Sequence, residues 1–85
     1  MEIKIEVPDY KPNKGLTCKW EVGFEIETRI DNDAIVITAN KEGLISLANH
    51  LLNLAQDNVP SGSHYHFDSY NSLEDGSIEL IIDKK

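Results

Sequence analysis

Residues 62–68 read "GSHYHFD", with two histidines and an aspartate at every second position and two aromatics between them. Successive side chains of a β-strand point to opposite faces, so a strand here gathers His64, His66 and Asp68 on one side and turns Tyr65 and Phe67 to the other. Three chemistries use such a set: a metal site, an imidazole–carboxylate acid–base pair, and the polar side of a strand whose other side is buried. A metal would take His64 and His66, with Asp68 or a glutamate from a neighbouring strand as the third ligand. Structural zinc usually demands four ligands drawn from close Cys or His pairs. Cys18 and His50 supply no such pair, and His50 is expected at the edge of a helix. No cofactor and no metal are expected.

Catalysis lacks its other parts. No Ser, Thr or Cys has a nucleophile setting, and Ser63 is merely adjacent to His64 in sequence. A pair of carboxylates needs a cleft that raises one pKa, which an open face does not offer. Gly43 and Gly62 belong to no phosphate-cradling motif. Cys18 reads as a small residue at the start of a strand. The chain is not expected to be an enzyme, with a small metal-binding or catalytic domain using His64, His66 and Asp68 kept as the alternative.

The elements that position these residues follow from periodicity. Ile3, Ile5 and Val7 alternate with Glu2, Lys4 and Glu6, which predicts a first strand ended by Pro8. Leu16 to Ile30 alternates again, with Trp20, Val22, Phe24 and Ile26 on one face and Glu21, Glu25 and Glu27 on the other. Asp31-Asn32-Asp33 turns the chain into "AIVITA". Asn40 is a favoured N-cap, and Leu44, Leu47, Ala48, Leu51, Leu54 and Ala55 then recur at helical spacing, predicting a helix over about 41–57. Pro60 and Gly62 end it. "HYHFD" and "SIELIID" complete the order β-β-β-α-β-β, the last pair separated by a loop in which Asp75-Gly76 suits a hairpin-type turn. A lone amphipathic helix must bury its stripe against a sheet. The prediction is therefore an α+β fold: one mostly antiparallel five-stranded sheet with the helix on one face. Trp20, Phe24, Ile26, Leu47, Leu51, Ile78 and Leu80 make much of its core.

Composition narrows the function. Eighty-five residues predict a single domain spanning 1–85. The chain has 15 acidic and 8 basic residues, a net charge of −7. Residues 17–33 and 64–85 each hold five acids against two bases. Nucleic acid is disfavoured, since phosphate binding needs a basic face. No apolar run is long enough for a membrane span, and a single cysteine predicts a reducing cytoplasm. The outward faces of the predicted strands collect Glu21, Glu25, Glu27, His64, His66, Asp68 and Glu79. That carboxylate-rich surface suits a basic protein partner better than a small molecule. Self-association, or a structural module that pairs through an edge strand, is the remaining alternative.

Residues 39–83 resemble a family of bacterial polymorphic-toxin immunity proteins, the one numbered thirty-two. The likeness lies in Asn40, in Glu42-Gly43-Leu44 opening a leucine-rich helix, in the His-x-His segment, and in Gly76-Ser77 leading into an acidic, apolar last strand. The resemblance implies a small intracellular protein that binds a cognate toxin and blocks it, without identifying the toxin; the acidic face would suit the basic cleft of a nuclease. The resemblance assigns no catalytic residue.

Overall fold

The computed structural model describes residues 1–85. Its elements are β1 (Ile26–Asp31), β2 (Ala34–Ala39), α1 (Lys41–Leu54), β3 (His64–Phe67) and β4 (Leu80–Asp83). The β1–β2 pair is an antiparallel hairpin in which Ile26 faces Ala39 and Asp31 faces Ala34. Its two-residue turn sets Asn32 and Asp33 at φ of 48° and 66°, the left-handed region that Asn and Asp tolerate best among side-chain-bearing residues. The β3–β4 pair is also antiparallel, with His64 opposite Asp83 and Phe67 opposite Leu80. Asn40 caps α1 by accepting the Gly43 N–H at 2.8 Å. The helix ends at Leu54, a turn short of the expected limit.

The single five-stranded sheet is not formed. There are two separate two-stranded sheets, and residues 1–25 contribute no strand. The alternation across Leu16–Ile30 breaks at a turn closed by the Phe24 N–H on the Glu21 carbonyl, with Gly23 at φ 83°. Val22, at the corner of that turn, is 96% exposed instead of facing the core with Trp20 and Phe24.

The backbone of residues 1–25 finds its partners in side chains, chiefly from α1 and its flanks. Asn49 donates to the Glu6 carbonyl, and Gln56 donates to that of Pro8 while accepting the Tyr10 N–H. Asn58 donates to the Tyr10 carbonyl. The chain reverses at a Lys11–Gly15 turn. On its return the Tyr65 hydroxyl donates to Thr17, His50 Nε2 accepts from the Lys19 N–H, and Ser46 Oγ accepts from the Glu21 N–H. Asn40 finally accepts from Glu25 and donates to Gly23. Half-buried backbone groups must be satisfied somewhere, and here side chains do what a neighbouring strand would have done.

This use of α1 rotates its buried face away from the leucine stripe. Gly43, Ser46, Asn49, His50, Asn53 and Leu54 point inward, whereas Leu44 and Leu51 are exposed. Leu51 is therefore not core, and neither is Ile78, which lies at the surface. Leu47 and Leu80 are half-buried against the core. That core consists of Ile26, Leu54, Val59, Tyr65, Phe67 and Leu73. Trp20 stacks on Phe24 at 4.4 Å and meets the edge of Phe67 at 5.5 Å. At the centre sits His50, fully buried rather than at the helix edge, with Trp20 at 4.3 Å and Tyr65 at 5.0 Å between ring centres.

The two sheets are linked by residues 74–78, which lie along the edge of β1 not used by β2. Glu74 N–H donates to the Ile26 carbonyl and Ile78 N–H to that of Thr28. The buried Thr28 hydroxyl returns a bond to the Ile78 carbonyl. Helix α1 crosses the base of the hairpin at Gly43, where a Cβ would stand 2.5 Å from the Glu25 carbonyl oxygen and 2.9 Å from Ile26 Cγ1.

Two outcomes follow from this packing. Gly43→Ala should lose roughly 1–3 kcal/mol by overpacking, although alanine is the better helix former by about 1 kcal/mol; urea unfolding as stable as the parent would show that the helix can move away from β1. His50 accepts at Nε2, so its neutral form carries the proton on Nδ1, which has no hydrogen-bond partner. The Ser46 carbonyl one turn back favours the charged ring, but burial outweighs it and lowers the pKa. The unfolded chain therefore binds the extra proton first. This contribution to stability is complete above about pH 6.5 and declines as the pH falls below it toward the folded pKa. His50→Gln should flatten the fall in melting temperature between about pH 7 and 5 relative to the parent; parallel curves would remove His50 as the cause.

Candidate functional site

Strand β3 divides its residues as its alternation demands. Tyr65 and Phe67 are buried at 5% and 2% exposure, while His64 and His66 face outward. The two imidazoles find different carboxylates. His64 Nδ1 lies 3.9 Å from Asp83 Oδ1 on the paired strand β4. His66 Nε2 lies 3.7 Å from Asp68 Oδ2 and 3.6 Å from Glu79 Oε1. The ion pairs exist only when the rings are protonated, and all four of these outward-facing groups at β3–β4 other than Asp68 are well exposed, so water screens them.

Asp68 is held more firmly than a surface carboxylate. Its Oδ1 accepts the Tyr70 and Asn71 N–H groups at 2.9 and 3.0 Å. Asn71 in turn accepts the Asp68 N–H and donates to the His66 carbonyl. The Asp68 carbonyl accepts the Leu73 N–H, closing the turn that delivers Leu73 into the core. Asp68 is thus a turn-former that also presents Oδ2 to His66.

The remaining expected site residues lie elsewhere. Glu21 borders a cleft of about 190 Å³ with Lys4, Lys19 and Asn49, between α1 and the N-terminal segment. Glu25 and Glu27 line a separate shallow depression near the start of β1. Glu74 shares that depression and was not singled out by sequence. Its placement depends on the link between residues 74–78 and β1, which no local pattern announces.

His66, Asp68 and Glu79 are the group able to hold a metal ion, their ligand atoms lying within 4.8 Å of one another. His64 is drawn to Asp83 and Glu79 takes its place. Three ligands at one end of a strand pair, two of them exposed, fall short of the four that structural zinc favours.

The model of the immunity protein 32 family matches residues 34–85, which is more than half of the chain and contains β2, α1, β3 and β4. The chain belongs to this family of immunity proteins. No curated protein and no solved structure matches it. No helix is long and apolar enough to cross a membrane.

Because the three ligands lack a fourth, the purified protein should hold no stoichiometric zinc, and a chelator should leave its melting temperature unchanged. Elemental analysis finding one zinc per chain, lost in His66→Ala, would overturn this.

Proposed function

We propose that this protein binds a cognate polymorphic toxin and blocks it by covering its active site, acting as a single non-catalytic domain in the cytoplasm. Membership of the immunity protein 32 family carries this reading. The docking face is the outer side of β3–β4 with His64, His66, Asp68, Glu79 and Asp83. Those residues lie inside the matched segment, whereas Glu21, Glu25 and Glu27 precede it. Residues 64–85 hold five acids against two bases, so the face suits a basic cleft such as that of a nuclease, and opposite charge would speed the encounter. Glu25, Glu27 and Glu74 line a depression of their own near the start of β1.

One observation favours a second face on the same protein. Leu44, Leu51 and Leu52 are about half exposed on α1, an apolar stripe that the rotated helix leaves outside. Apolar surface of this kind is common in interface cores.

The two faces separate in a protection assay, in which cells express the cognate toxin. The Glu79→Lys/Asp83→Lys variant should lose protection and associate more slowly at low salt, with circular dichroism unchanged. Leu51→Lys should fold and keep protecting. Asp68 is left intact because its turn supports the fold. Full protection by folded Glu79→Lys/Asp83→Lys, with loss in Leu51→Lys, would move the contact to the helix. Full protection by both would reject both faces.

A further inference from the structure

Strand β2 reads "AIVITA", without a charge, proline or bulge, and its outer edge is open. Which backbone groups lie on that edge follows from the ladder. The Ile26 and Thr28 carbonyls are taken by residues 74–78, so Ile26 and Thr28 turn their backbones away from β2. Glu25 accepts the Asn40 N–H, which continues the β1–β2 register one pair further. In an antiparallel pair the N–H and C=O of one residue point the same way. Glu27, Arg29 and Asp31 therefore bond Thr38, Val36 and Ala34, leaving Ile35, Ile37 and Ala39 to present their N–H and C=O outward. None of these groups is bonded elsewhere in the chain.

The side chains add a second feature. Ile30 stands opposite Ile35 and Thr28 opposite Ile37, so Ile30, Ile35 and Ile37 share the hairpin face that covers the core at its base. Towards the tip they emerge from cover: Ile37 is 42%, Ile30 64% and Ile35 71% exposed. Soluble proteins ordinarily guard such an edge with lysine, proline or a bulge, and β2 has none.

We propose that β2 pairs antiparallel with β2 of a second copy of this chain, about a two-fold axis at Ile37, to form a continuous four-stranded sheet. The strand is self-complementary in charge. Its uncharged stretch is bounded by Asp33 on one side and Lys41 on the other, both exposed. Antiparallel pairing about Ile37 sets Ile35 against Ala39 and brings Asp33 of each copy to Lys41 of the other. It does so twice, as an isologous contact requires. Lys41 also opens α1, whose positive N-terminal end favours an incoming carboxylate. The same pairing extends the exposed isoleucines of the two hairpins into one apolar strip. The proposed toxin face on β3–β4 is not used, so the pairing stands whether or not that reading holds.

Sedimentation equilibrium of the intact chain tests this. The parent should approach twice its 9.6 kDa as concentration rises through the micromolar range. Ile35→Lys, altered at an exposed position, should remain at the single-chain mass with its circular dichroism unchanged. Lys41→Glu, which suits a helix N-terminus, should weaken association several-fold by placing acid against Asp33. A parent that stays monomeric at high micromolar concentration overturns the proposal, as does a folded Ile35→Lys that still dimerises. A monomeric parent whose Ile35→Lys variant loses toxin protection would also overturn it, by assigning the edge to a strand of the toxin.

Discussion

The polar inner face of α1 is the constraint on which the rest of the structure depends. A helix in a small α+β protein ordinarily buries a leucine stripe. Here Ser46, Asn49, His50 and Asn53 go inward instead. Each buried polar group requires a partner, and much of what they bond is the backbone of residues 1–25. That segment can then remain without strand or helix and still close one side of the core. His50 joins the two roles, holding the Lys19 N–H through Nε2 while its ring fills the space among Trp20, Tyr65 and Phe67.

The same arrangement settles what is left at the surface. With α1 committed to the N-terminal segment, Leu44 and Leu51 emerge on its outer side. Residues 74–78 occupy one edge of β1, so the two strand pairs are joined by loop hydrogen bonds rather than by a fifth strand. The β1–β2 hairpin is anchored at Ile26, Thr28 and Gly43 and projects beyond the core, its far edge open. The β3–β4 pair buries Tyr65 and Phe67 and sets its imidazoles and carboxylates in water. The turn at Asp68, built by Asn71 and closed on Leu73, ties that surface to the core.

The strand pattern of "HYHFD", the hairpin at Asp31-Asn32-Asp33, the Asn40 cap and the placement of α1 were legible in the sequence because each is a local matter of period, turn chemistry or capping. The family likeness was legible for a similar reason, resting on short motifs in the C-terminal half. Of the two expected N-terminal strands, the one over residues 1–7 is absent and the one over Leu16–Ile30 forms only from Ile26 onward. Alternation reports that a segment is extended with one side covered, and it does not say whether strands or side chains satisfy the backbone. Leu51 and His50 were assigned to each other's places because hydrophobicity alone ranks a leucine inside and a histidine at the edge. The rank was reversed by long-range hydrogen bonds to Lys19 and Glu21, some thirty positions away. Likewise, Glu79 rather than His64 joins His66 and Asp68, since the choice rests on the rotamers and register of a strand pair. The sequence by itself determined the local elements, the outward turn of His64 and His66, and the acidic balance. Tertiary structure alone decided which face of the helix is buried, how many strands share a sheet and which carboxylate meets which imidazole, because those depend on partners distant in the chain.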